Sequence, residues 1–302
     1  MKGNGTSVSK PKSTAGQGRG RSVKGRKQVQ RKGNGGMSMS ATMRNVIAVA
    51  IVVLFAAGFY VLVISPNLYR WKQCNGYKNY GVCIPCNYNV HGIDISHYQG
   101  TIDWPLLCTN RDDPNSPIQF IFLKATEGGD YIDSTFSSNF AQARASGFIR
   151  GAYHYFIPTT DARKQAQFFI SQVQLQPGDL PPVLDVETVG RKSSGTDIKT
   201  SVKTWLDIVE AYYGVTPILY TSYKFRERYL SDAMFDKYPY WIAHYYVDSV
   251  RYAGHWEFWQ HTDVGSVDGI RGPVDLNVFN GPMSELMELT LHADSTADAG
   301  AQ

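Results

Sequence analysis

From His91 to Phe279 the chain is cut into short apolar runs at intervals that fit one architecture. The runs are 91–96 (HGIDIS), 120–125 (FIFLKA), 151–156 (GAYHYF), 181–187 (PPVLDVE), 217–221 (PILYT), 240–244 (YWIAH), 256–260 (WEFWQ) and 274–279 (VDLNVF). Short apolar runs bounded by turn signals read as buried strands. Between the early ones lie amphipathic helices. Phe136, Phe140 and Ala143 are spaced for a helix entered near Ser134. Ala162, Ala166, Phe169 and Val173 recur at helical spacing behind an N-cap at Asp161, and Ile198, Val202, Trp205 and Val209 repeat that spacing. A shorter helical pattern spans about 223–235. Alternation of this kind predicts parallel βα units. After about residue 238 the helical patterns vanish and strands follow at hairpin-like intervals. The expected fold is α/β: an irregular TIM-like barrel with about five βα units, followed by three strands lacking outer helices.

The chain before the barrel is different. Residues 1–45 hold eleven Lys/Arg and no Asp or Glu, in a Gly- and Ser-rich context, the composition of a disordered tail. Residues 46–64 (VIAVAIVVLFAAGFYVLVI) carry no charge and no polar face. At about 1.5 Å per residue they approach the roughly 30 Å of a bilayer core. They sit too deep in the chain, and lack the small-residue cleavage site, for a signal peptide. A single-pass membrane anchor is expected, with residues 1–45 cytoplasmic by charge asymmetry and the rest exported, periplasmic or extracellular. Without the tail, 19 Lys/Arg face 26 Asp/Glu, a net charge of about −7 that gives no reason to expect a nucleic-acid partner.

Residues 65–89 read as a stalk or cap, 90–283 as the barrel and 284–302 as a polar C-terminal tail. Cys74, Cys83, Cys86 and Cys108 all fall on the exported side. Cys83-x-x-Cys86 has no second Cys or His pair to complete a metal site, so disulfides are expected and no metal or cofactor. A bridge from Cys108 to the 74–86 cluster would fasten the cap to the barrel.

Active sites of α/β barrels lie at the C-terminal strand ends. Asp185 and Glu187, at i and i+2, project to one face. Two carboxyls in one confined place split their pKa values, the arrangement glycoside hydrolysis needs. Asp94 and Asp275 approach the pair because the first and last strands of a closed barrel are neighbours. Lys124, Tyr153, Tyr220, Trp241, Trp259 and Gln260 add the aromatic faces and polar tips that suit sugar rings. His154, His244, Trp205 and Trp256 read as core or rim residues, because no nucleophile motif accompanies the histidines.

The order HGIDISHYQGTIDW, FIFLKATEGGDYID, RGAYHYF, PPVLDVE, ILYTS, YWIAHY, WEFWQHT, GIRGPVDLNVF resembles glycoside hydrolase family 25 from about residue 90 to 281. The family's members are lysozymes (muramidases) that cut peptidoglycan between N-acetylmuramic acid and N-acetylglucosamine. The resemblance implies a barrel of five βα units and three final strands. It makes Glu187 the general acid and Asp185, Asp94 and Asp275 the other active-site carboxylates. Lys124, Tyr153, Tyr220 and Trp241 become saccharide-site residues. Peptidoglycan glycan strands are the implied partner. Two other readings fit the same residues: a peptidoglycan-binding anchor with little turnover, and a chitinase-like glucosaminidase.

Overall fold

The computed structural model describes residues 40–64, 76–190, 195–252 and 254–292. Two units are described separately. The first is the helix Ala41–Phe59, continued by a wider π turn over Tyr60–Ile64. Ser40 caps it, its side chain accepting from the Met43 N–H, so the helix starts before the uncharged run and takes in Arg44. The span Ala41–Val63 is long and apolar enough to cross a bilayer, and none of it is buried in protein.

The second unit is the barrel. Its strands are β3 (His91–Ile95), β4 (Ile118–Glu127), β6 (Ile149–Tyr155), β7 (Val183–Asp185), β8 (Ile218–Ser222), β9 (Tyr240–Ala243), β10 (Phe258–Gly265) and β11 (Val274–Phe279). A short strand, β5 (Tyr131–Ile132), hangs from the end of β4. Around the barrel the order is β3-β11-β10-β9-β8-β7-β6-β4, closed by β3–β4. Helices Trp104–Cys108, Phe136–Ala145, Ala162–Gln172, Gly195–Tyr213 and Tyr223–Tyr229 follow the first five strands in turn, giving the five expected βα units. Asp161 caps its helix by accepting from the Lys164 N–H. Ile198, Val202, Trp205 and Val209 are all buried.

The last three strands do lack outer helices, but they are not a run of hairpins. β10 lies parallel to β9; only β11 runs antiparallel, between β10 and β3. The interior is filled by Phe120, Phe122, Val183, Ile218, Trp241 and Phe258, with Phe122 stacked on Trp241 at 4.3 Å. Gly92 leaves the room these rings need, since a Cβ there would stand 2.3 Å from the Phe120 ring.

Residues 76–90 form a cap rather than a free stalk. β1 (Tyr77–Asn79) and β2 (Val82–Ile84) make a hairpin through Tyr80 and Gly81, both at positive φ as a two-residue type I′ turn requires. The Tyr80 hydroxyl donates to the Ser116 carbonyl at 2.8 Å, and the Ser266 N–H donates to the Tyr80 carbonyl at 2.8 Å. Ile84 is buried, and Tyr88 packs on Trp256 and Trp259. The cap thus covers part of the barrel wall that has no helix.

Two expectations are corrected. Among the described residues, Cys108 and Cys86 carry thiols and Cys83 is disulfide-bonded. The cap is fastened by hydrogen bonds and apolar packing, not by a bridge to Cys108; Cys74 lies outside the described residues. The compact unit also runs past residue 283. Met283–Leu289 is a helix with Leu286 buried, and Leu291 exchanges backbone hydrogen bonds with Gly178 and Asp179. Its apolar residues, hidden in a polar segment, close the barrel's lower end.

Candidate active site

A cleft of about 210 Å³ opens at the C-terminal ends of the parallel strands. It gathers Asp94, Lys124, Tyr153, Asp185, Glu187, Tyr220, Trp241, Gln260 and Asp275 from the expected residues. Asp275 arrives by an unexpected route. It stands at the start of β11, and the antiparallel direction of that strand carries its beginning to the same end as the C-terminus of β3. Asp275 and Asp94 are direct cross-strand partners, joined by a side-chain hydrogen bond.

Trp259 is the exception. Adjacent strand residues point to opposite faces, so with Gln260 inside, Trp259 lies outside the barrel. It is 0% exposed, packs on Tyr88 and Trp256, and donates from Nε1 to the His244 carbonyl at 2.8 Å. It is a core residue.

Asp94 is the best-held group. Its Oδ2 accepts from Gln260 Nε2 at 2.8 Å and from Asn277 Nδ2 at 2.7 Å. Each amide is fixed in turn: Gln260 Oε1 accepts from the Tyr220 and Tyr245 hydroxyls, and Asn277 Oδ1 from Trp241 Nε1. These partners leave neither amide free to flip. Burial raises both carboxyls. Asp275 is pushed up to about 9 because the Asp94 charge adds to its burial, while the amide donors hold Asp94 at about 6. The pair therefore keeps a proton at neutral pH, on Asp275.

Asp185 and Glu187 differ in depth. Asp185 is buried, its Oδ1 has no hydrogen-bond partner, and burial with the Glu187 charge raises its carboxyl well above the ordinary range. Glu187 lies just beyond the strand, its side chain reached by solvent at the mouth. The protein around it still raises its carboxyl, tempered by Tyr220 and Lys124. Burial thus disfavours the charged form more at Asp185 than at Glu187, because Asp185 is the deeper of the two. Lys124 pairs with Glu127 at 2.7 Å, and its ammonium lies 5.0 Å from the Tyr155 ring centre.

Tyr98, Tyr155 and Tyr245 also line the cleft, and Asn277 supports it; none was singled out from sequence. Asn277 had a readable signal, since it lies two residues from Asp275 and so on the same face. His154 is fully buried, stacked on Trp205 and bonded to Thr126 and Gln165, as a core histidine should be. A larger hollow of about 510 Å³ lies on the outer flank, around Arg226, Tyr240 and Tyr252. Its Arg226 is matched by Glu227 at 3.3 Å and Asp236 at 3.9 Å.

Residues 93–270 match glycosyl hydrolases family 25. The chain belongs to that family. It is therefore a glycoside hydrolase, and its lysozyme and muramidase relatives define the kind. It is 45% identical to the Escherichia coli protein YegX over 69% of this chain and 76% of that one. Lysozyme M1 of Streptomyces globisporus is 34% identical, covering 69% and 72%. Among solved structures, the Streptomyces coelicolor lysozyme superposes with a TM-score of 0.61 at 32% identity, covering 68% of this chain and 98% of that one. The Bacillus anthracis family 25 hydrolase gives 0.61 at 30%, covering 68% and 95%. The family match spans β3 to the loop before β11, so the cap and the N-terminal helix lie outside it.

Proposed function

We propose that this family 25 chain is a membrane-tethered N-acetylmuramidase that cuts peptidoglycan between N-acetylmuramic acid and N-acetylglucosamine, with Glu187 as general acid. The carrying observation is the depth difference between two adjacent carboxyls: Glu187 at the mouth, Asp185 buried beneath it with an unpartnered oxygen. An acid has to reach the leaving oxygen, and the solvent access of Glu187 at the mouth supports it in that role.

Burial favours a proton on Asp185, whereas acid catalysis needs it on Glu187. A substrate acetamide resolves the conflict. Its N–H donates to Asp185 Oδ1, and a donor hydrogen bond favours the ionised carboxyl. The proton of the pair then passes to Glu187, and the negative charge sits on Asp185. Glu187 protonates the glycosidic oxygen as the bond to the anomeric carbon breaks. The acetamide carbonyl oxygen, oriented by Asp185, bonds to that carbon. Glu187, now a carboxylate, takes a proton from a water whose oxygen bonds to the anomeric carbon as the acetamide oxygen leaves it. Asp94, ionised and held by two amides, adds negative potential for the cationic transition state.

The tether reading draws on the apolar helix Ala41–Val63 and on the eleven cations of residues 1–45. Protease added to intact spheroplasts should digest the barrel and spare the tail; a protected barrel contradicts the orientation. Analysis of the new reducing ends after wall digestion tests the activity. Muramic acid ends support a muramidase, glucosamine ends a glucosaminidase, and no new ends a binding anchor.

A further inference from the structure

The cleft is small beside the roughly 300–1,000 Å³ usual for ligand pockets. At about 210 Å³ it encloses about one saccharide ring, so the rest of a polymer must lie on its rim. One stretch of rim is built for this. Tyr98, at the cleft mouth after β3, is 80% exposed, and Tyr131 on β5 is 41% exposed. Single exposed aromatics are ordinary. These two are joined through His97, which lies 4.2 Å from the Tyr98 ring at a 34° tilt and 6.1 Å from the Tyr131 ring. Tyr131 is tied to the cleft by the Lys124 ammonium, 5.8 Å from its ring centre.

The rim is also held in place. The His97 N–H donates to Asp133 Oδ2 at 2.9 Å, and the His97 ring nitrogen Nδ1 lies 2.8 Å from the same oxygen. Asp133 is buried, and its other oxygen accepts from the Thr135 N–H and hydroxyl. Burial pushes the Asp133 carboxyl up, but these donors win and hold it below its ordinary value. A capping box between Ser96 and Gln99 fixes the turn that carries Tyr98. Aromatic faces fixed before binding pay little ordering entropy when a sugar ring stacks on them.

We infer that Tyr98 and Tyr131 form a stacking rim for the glycan strand, carrying it out of the cleft over β3 and β4. The rim makes strand length a determinant of the rate. This rests on the muramidase reading, and the following test separates the two. The full-length protein is assayed on soluble, uncrosslinked glycan strands: the shortest it cleaves, and strands several disaccharides longer. The wild type should gain kcat/KM with length. Tyr98→Ala and Tyr131→Ala should each remove about 3- to 10-fold of that gain, carried by KM. Tyr98→Phe should keep it and serve as the folded control. Equal losses at both lengths, or no loss, overturn the inference. If the wild type cleaves no strand, the muramidase reading fails, and the rim is judged by titration with the same strands. Long strands should then bind tighter than short ones, an advantage the alanine variants lose; equal affinities at both lengths overturn it.

Discussion

Asp275 and Asp94 face each other across the antiparallel β3–β11 ladder, hydrogen-bonded and sharing one proton at the floor of the cleft. Their protonation couples to folding with a definite sign. In the unfolded chain Asp275 titrates near the ordinary 3.8, whereas in the folded protein it titrates near 9. Between those values the native state binds more protons, so its stability falls as pH rises. Asp275→Asn should flatten that decline between about pH 4 and 9 in denaturant titrations. An unchanged slope means the pair holds no such proton.

Asn277 links Asp94 to Trp241. Asn277→Leu keeps the branch at Cγ but strips Asp94 of a donor and leaves Trp241 Nε1 without its acceptor. Each orphaned group costs about 1–3 kcal/mol. The expected outcome is a lower urea midpoint together with a lower kcat; a variant matching wild type in both shows that Gln260 alone suffices.

Trp259 should behave as a core residue. Trp259→Ala is expected to cost about 3–5 kcal/mol and to leave KM for glycan unchanged in the protein that remains folded. A raised KM with unaltered stability would return it to the sugar site.

The stereochemistry of the product reports on Asp185. If the acetamide attacks and Asp185 orients it, the newly freed anomeric centre retains its configuration, as NMR of the initial product shows. Asp185→Asn should then lower kcat strongly. Inversion would mean that a carboxylate activates water instead.

The barrel was legible because its strands are short apolar runs and its helices carry clear stripes such as Ile198, Val202, Trp205 and Val209. The four carboxyls were legible because they stand at strand ends. Strand direction was not. Nothing in VDLNVF says that β11 runs antiparallel, yet that direction brings Asp275 to the site. Reading Trp259 and Gln260 as joint sugar contacts conflicted with two-residue strand periodicity, and only Gln260 faces inward. Tyr98 carries no periodic signal, since it lies on a turn whose place is set by contacts with Asp133, distant in sequence. The depth of Asp185 relative to Glu187 depends on where β7 ends, which the carboxyl spacing does not disclose.

Glu187→Gln on purified peptidoglycan is the most direct measurement. The variant keeps the side chain's size and hydrogen bonding but has no proton to give. If Glu187 is the acid, kcat should fall by about 10²–10⁴-fold, while the protein still co-sediments with the wall. Retention of more than about a tenth of wild-type kcat would place the acid elsewhere.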